Sequence, residues 1–437
     1  MKQSTKIFLP IVAMLLCAGA CKKETNNGNQ NPDPSTETLP DGSVLTGEIT
    51  STIKLGAGNT YWLKGGVHVK PGHSLYIEPG VTVKSDPDEP ATAYLLVEPG
   101  ATIMAEGTKE SPIVFTSGKK NPTHQDWGGI ILCGKAPVNV AGGTVASEMG
   151  AGVVYGGDDP NDNSGVLRYV RVEYTGKKQT QTKEHNGFTF EGVGAGTTLE
   201  YLAVYKGGDD GIEFFGGTVN ARYLFVYGAQ DDLFDWTYGW SGKGQFWVGI
   251  QGDDVADRGI EADNNGSDNA ATPFSNPTLS NITLVGSTTA KTGDDPASAS
   301  ETGKTRAIKL REGTKGALMN CIVYNFNSGV EVEHDQTLAN MEDGSLSLKH
   351  TDIYNEKLWS FKKTGGDAYT GDNRFIEAAY HNHTSITATP PYISQKYIGT
   401  NTDGAVNPAS INGWFQVATY KGAVEQGNDW TAGWTKK

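Results

Sequence analysis

One pattern recurs along the middle of this chain and limits what it can fold into. The segments LRYVRVEYTG from Leu167, LEYLAVYKGG from Leu199, ARYLFVYGAQ from Ala221, LSNITLVGST from Leu279, LMNCIVYNFN from Leu318 and LKHTDIYN from Leu348 alternate apolar and polar residues. In all but the last, the third residue is Tyr or Asn. Short second strands are interspersed with them: NGFTFEG, DGIEFFG, DLFDWTY, RGIEADN, RAIKLRE and SGVEVEH. Anchored on Phe188, Ile212, Phe234, Ile260, Ile308 and Val330, the steps are 24, 22, 26, 48 and 22 residues. The 48 is read as two coils, one degenerate around GQFWVGIQG. Short strands at a period of about 20 to 26, punctuated by Gly, Pro and Asn, predict stacked coils of a parallel β-helix. The stripes of a helical solenoid are missing, and a bladed propeller needs about 40 to 50 residues per unit. Crossovers between parallel strands are right-handed almost without exception, so the expected fold is an all-β, right-handed parallel β-helix of ten or more coils. Long loop insertions and a C-terminal cap complete the expectation.

The same architecture is visible earlier. Glu78-Pro79-Gly80 and Glu98-Pro99-Gly100 lie 20 residues apart and are read as one coil apart, with Lys70-Pro71-Gly72 repeating the turn within the first coil. Pro then Gly suits a type II turn, where proline sets φ and glycine accepts φ > 0. The expected organisation is a signal segment over 1–21, a flexible tether over 22–45, the β-helix over 46–362, and a C-terminal coil with an aromatic-rich cap over 363–437. Trp414, Trp430 and Trp434 are expected to plug the last coil, since an open solenoid end exposes strand edges.

The N-terminus, MKQSTKIFLPIVAMLLCAGACKK, has Lys2 and Lys6, an apolar run from Ile7 to Leu16, then small residues up to Cys21. That is the layout of a secretory signal. Ala18-Gly19-Ala20-Cys21 resembles a bacterial lipobox, which makes Cys21 the expected lipidation site, and Lys22 to Pro40 is polar with nothing to bury. No later run approaches a membrane span, so palmitate-type acylation would be the only anchor. A formal charge of −14 disfavours a nucleic-acid surface. Cys133 and Cys321 sit in apolar IILCG and NCIVY and are read as two separate buried thiols.

KESPIVFTSG with DWGGIILCGKAPVN, then GGDDGIEFFGGTVN, ADRGIEADNN and the ending ATYKGAVEQGNDWTAGWT, resemble a family of secreted, Bacteroidetes-type outer-membrane-associated lipoproteins with a pectin-lyase-like β-helix. The resemblance runs from about Lys109 to the C-terminus. It implies a cell-envelope protein, outer-membrane or surface exposed, in the company of TonB-dependent transporters. A shared fold awards no reaction. The expected role is therefore binding, of a glycan or of an outer-membrane partner such as a transporter.

Two enzymatic alternatives rest on carboxylates. Asp209-Asp210 is similar to the Asp-Asp element of polygalacturonase-type hydrolases, and Arg306-Ala307-Ile308-Lys309 resembles their Arg-x-Lys, but the flanking Asn-Thr-Asp and Gly-His-Gly are absent. A calcium-dependent lyase would need carboxylates on the metal, from Asp210, Asp232, Asp254 and Asp257, and a base, Arg258. If the chain is an enzyme, Asp209, Asp210, Asp232 and Arg258 are the candidates. Acids recur on nearly every rung, however, and Asp beside Gly is also a common turn former. Carboxylates about 5 Å apart repel by about 3 kcal/mol at an effective dielectric of 20, so a ladder of them calls for a cation or for alternating amides. Asp210, Glu213, Asp232, Asp235, Glu261 and Asp263 form the candidate calcium site.

Trp236, Trp240 and Trp247 lie among these acids. They are either stacking platforms for sugar rings or filling for coil interiors. The runs GGDDPNDNSG (156–165) and EADNNGSDN (261–269) suit hard cations but miss the EF-hand register, and solvated turns explain them as well. His381 and His383 lack a visible third ligand and are read as surface residues.

Overall fold

The computed structural model describes residues 36–149, 152–180, 183–292, 301–302, 304–355, 357–386 and 389–437. The signal segment, Cys21 and all but the end of the 22–45 tether lie outside them. The chain is already in the first coil at Glu37–Leu39, which pairs with Ile53–Leu55. The tether therefore ends earlier than the composition suggested, because Leu39 and Leu45 have neighbours to pack against.

Among the described residues, 27 strands join into one continuous parallel sheet wound as a β-helix. Each regular coil contributes to three ladders. The first runs through 166–168, 198–200, 220–222, 243–245 and 278–280; the second through 170–173, 202–205, 224–227, 247–250 and 282–285. The third holds eleven levels, from 47–49 to Lys357–Lys362. Its centre stacks the anchors of the repeat in register: Phe188, Ile212, Phe234, Ile260, Ile308 and Val330. All six are fully buried.

The repeated third residue of the long strands has a backbone role. Tyr169, Tyr201, Tyr223, Phe246, Asn281, Asn320 and His350 all have φ between 49° and 61°. Each bends its strand from the first ladder into the second through a left-handed conformation that costs a non-glycine residue about 1 kcal/mol or more. Stacking offsets part of that cost: Tyr169–Tyr201 and Tyr201–Tyr223 are 4.2 and 4.3 Å apart and nearly parallel.

Three expectations are corrected. Ile260 pairs directly with Ile308, so the 48-residue step is one coil with insertions, and GQFWVGIQG belongs to the regular coil before it. The Pro-Gly turns do have φ > 0, but 78–80 follows a first-ladder strand and 98–100 a third-ladder strand. The corner partner of Gly100 is Gly72, whose N–H donates to Gly100 O at 2.9 Å.

The third correction concerns the C-terminus, which does not plug the last coil. It folds back along the corner of the left-handed residues as a strap. Gly404 O faces His350, Val406 O accepts from Asn320, Tyr420 O from Asn281, and Gln416 O from Gln245. Trp430 packs against Tyr201 and Tyr223, and Trp434 against Tyr169 and Tyr201. Carbonyl oxygens of Trp414 and Trp434 accept from Arg222 and Arg171. The exposed apolar seam runs along the side of the rod, which explains why the tryptophans go there. The end after Lys357–Lys362 is covered by Tyr369 and Phe375. Cys133 and Cys321 are free and buried, as expected.

Candidate functional site

The outward row of the third ladder carries the chemistry. One position after each buried anchor stand Thr189, Glu213, Asp235, Glu261, Lys309 and Glu331, in register. Two positions before the first three anchors, turns add Asn186, Asp210 and Asp232, and before Ile260 the strand opens on Arg258. A period-2 strand sends the anchor inward and its neighbour outward, so the coil repeat itself aligns the acids.

Asp210 and Asp232 are turn residues, but they brace the next rung rather than their own turn. Asp210 Oδ1 accepts from the Asp232 N–H at 2.9 Å, and Asp232 Oδ1 from the Arg258 N–H at 2.8 Å. Three overlapping groups put a carboxylate oxygen from each member within 4.8 Å of the others: Asp209–Asp210–Asp231, Asp210–Glu213–Asp235 and Asp232–Asp235–Glu261. Arg258 reaches Asp257 at 3.1 Å, Glu261 at 3.1 Å, Asp232 at 3.3 Å and Asp231 at 3.8 Å. Arg311 takes Asp263 at 2.8 Å and Glu261 at 2.9 Å. Among the described residues no ion pair reaches Asp209, Asp210, Glu213 or Asp235. Glu213 has only the Asn186 amide at 2.6 Å, and Asp235 Oδ1 is a buried oxygen with no hydrogen-bond donor.

The charge is therefore unevenly compensated along this row. Burial, followed by neighbouring carboxylates, pushes Asp209, Asp210, Glu213 and Asp235 well above the ordinary carboxylate range. Burial and Glu261 push Asp263 up to about 7 despite Arg311. Farther along, Lys309 and Lys362 clamp Glu333 at 3.2 and 2.9 Å. Burial opposes that carboxylate's charge, but the two lysines prevail and hold it at about 2.

The candidates separate accordingly. Asp210, Glu213, Asp232, Asp235 and Glu261 come together, joined by Asp209 from the enzymatic set, while Asp263 is drawn off by Arg311. Asp254 is apart from the cluster, half-exposed and 4.0 Å from His124. Burial works against the Arg258 charge, but Asp232, Glu261, Asp257 and Asp231 raise its pKa overall. That is the opposite of what a proton-abstracting base requires, and it weighs against Arg258 in the lyase role.

The tryptophan reading is corrected as well. Trp236, Trp240 and Trp247 are fully buried. Their indole N–H groups donate to Thr314 Oγ1, Val219 O and Ala221 O, and Trp240 stacks on Phe214 at 4.2 Å. No ring face is left for a sugar, and the inward parity of Trp236, two residues after Phe234, is the signal for it. In the acidic loops, Asn163 and Asn265 accept from backbone N–H groups two residues on, as turn formers do. His381 stacks on His350 and His383 packs on Tyr354; neither belongs to a group of potential metal ligands among the described residues.

Sequence reasoning missed Asp231, Asn186 and Arg311. Asp231 sits beside Asp232 in the quoted repeat, so its signal was present. Asn186 and Arg311 matter only through the rung each one faces.

A family model described as a pectate-lyase like beta helix domain matches residues 47–435. Comparisons with curated proteins and with solved structures return no match. With the model spanning nearly the whole of the coil and strap, the chain belongs to the pectate-lyase-like β-helix domain family.

Proposed function

We propose that the protein is a cell-envelope binding module whose acidic row holds a divalent cation, calcium by donor chemistry, and through it a glycan bearing carboxylates or clustered hydroxyls. The observation that carries this reading is the uncompensated set Asp209, Asp210, Glu213 and Asp235, with Asp235 Oδ1 lacking a donor, beside arginines already engaged by other acids. The donor set fits the ion: calcium takes six to eight hard oxygens, and carboxylates supply them singly or in pairs. Asp210, Glu213, Asp235, Asp232 and Glu261 would hold it, and bound calcium would present its remaining positions to sugar oxygens. This chain's own residues brace the site, Asp210 and Asp232 through the next rung's N–H groups and Asn186 through Glu213. Attachment through acylated Cys21 belongs to the same reading and rests on the N-terminal sequence.

The test is thermal unfolding with calcium and with chelator. A ligand that binds only the folded state at a hundredfold excess over Kd adds about 2.7 kcal/mol. Asp235→Asn should abolish that response, and glycan retention should need calcium. A melt indifferent to calcium would sink the reading. Release of unsaturated or reducing sugars from uronate polysaccharides would replace it with cleavage. Cys21→Ser should abolish palmitate labelling.

A further inference from the structure

One ion pair in the molecule lies where an ion pair is least expected. Along the outward row of the second ladder, Ala203, Phe225, Val248, Thr283, Ile322 and Asp352 follow one another in register. The strap covers this row with Tyr397, Ala423, Val424 and Trp434, forming an apolar cluster with Phe225, Val248 and Ile322. Asp352 is 0% exposed within it, and its partner Lys421, from the strap, is 2% exposed. Lys421 Nζ is 2.6 Å from Asp352 Oδ1. On the other oxygen, Oδ2, two donors converge: the Tyr392 hydroxyl at 2.5 Å and the Asn401 amide at 2.8 Å. Lys421 and Asn401 are held opposite each other by reciprocal backbone hydrogen bonds at 2.8 and 3.3 Å.

We propose that Lys421 and Asp352 are the site of an intramolecular isopeptide bond that welds the strap to the coil. A separated charge pair gains little from an apolar enclosure, since desolvation offsets the Coulomb attraction. Transfer of one ammonium proton to Oδ1 leaves a neutral amine and a carboxylic acid. The amine lone pair attacks Cγ, forming the Nζ–Cγ bond and placing negative charge on Oδ2. Tyr392 and Asn401 stabilise that oxyanion from the positions they already occupy. Oδ1 takes a second proton from nitrogen and leaves as water as the Cγ–Oδ1 bond breaks. Nitrogen keeps its third proton, and Oδ2 becomes the amide oxygen on the same two donors. The charges cancel, one water is released, and no oxidant or co-reactant is consumed. Burial, then Asp352, raise the Tyr392 pKa, which keeps its hydroxyl a donor throughout.

The full chain, folded, then denatured and digested with trypsin, should yield the Lys421 peptide joined to the Asp352 peptide. The pair should be one water lighter than their sum, with no cleavage after Lys421. Lys421→Arg should abolish the product. Asp352→Asn, which removes the carboxylate that takes the ammonium proton, should abolish it as well. Tyr392→Phe preserves the pair and removes one oxyanion donor, so linkage should slow by about a hundredfold or more. Recovery of both peptides free, at full mass and with cleavage after Lys421, from a preparation with native near-ultraviolet dichroism would overturn the proposal. Undiminished linkage in Tyr392→Phe would overturn the role given to that hydroxyl.

Discussion

The outward faces of the second and third ladders are built on the same coils, yet one is sealed and the other is charged. On the second ladder the row through Ala203, Phe225, Val248 and Ile322 is apolar, and the chain's own C-terminus lies over it. On the third the row through Glu213, Asp235 and Glu261 is acidic, and repulsion between rungs is answered only in part by Arg258 and Arg311. Stacking makes any outward choice repeat at about 4.8 Å, so an apolar row becomes a docking seam and an acidic row a concentrated charge. What a β-helix face does is decided by a few rungs of like residues.

The hardest way to break the comparison is to uncover the seam. Ending the chain after residue 386 removes Tyr397, Val424, Trp430 and Trp434. At about 1.5–3 kcal/mol for each large apolar side chain, their loss rivals the roughly 5–15 kcal/mol that holds a domain folded. The truncated chain should aggregate or bind a hydrophobic dye; a soluble monomer with the full-length melting curve would show that the strap is not structural.

A smaller loss, about 3–5 kcal/mol, is expected for Trp240→Ala, because the indole fills the coil interior. Calcium binding per folded molecule should be unchanged. Lost sugar binding with an unchanged melt would restore the platform reading that burial argues against.

The two ends of the third-ladder row should respond to pH with opposite signs. Glu333 is held at about 2, below its unfolded value, so its contribution is present above the unfolded pKa and lost as pH falls through about 2. Glu333→Gln should cost about 1–3 kcal/mol at neutral pH, shrinking toward zero in acid. Asp210, Glu213 and Asp235 are raised, so in chelator their contribution is greatest below the unfolded pKa and is lost as pH rises. Without calcium, melting temperature should therefore climb as pH is lowered from 8 to about 5, and Asp235→Asn should flatten that climb. A wild-type curve that falls over the same range would contradict the cation-deficient row.

The smallest effect is expected on the strap's outer side. Val417 is 72% exposed, and Val417→Ser should shift stability by no more than about 0.5 kcal/mol. A loss of several kcal/mol, read from chemical denaturation, would mean that this side is buried against something else.

Much of this was legible before any coordinates. Phe188, Ile212, Phe234, Ile260, Ile308 and Val330 could be aligned because each is an apolar residue at the same inward place of its coil. The corner residues were visible as Tyr and Asn at a constant place, but their left-handed backbone was not, since alternation alone reads as an uninterrupted strand. Insertion length defeated the count of coils between Ile260 and Ile308. Trp236, Trp240 and Trp247 were ambiguous because an indole between acids looks alike from either side of a strand until parity is fixed. The acids of the row could be read as a list. Which acids lack a cation could not, because Arg258 and Arg311 choose among neighbours on other rungs.

The sequence by itself determined the coil and its inward stack, for these depend on a local period and on residues that must leave water wherever the chain goes. Only the tertiary structure decided which outward row is covered. The strap joins Trp434 to Tyr169 and Lys421 to Asp352 across long stretches of chain, and no local pattern records where a returning segment finds its partner. That return seals one face with apolar contacts and leaves the carboxylates of the other to be met by protons or by a cation.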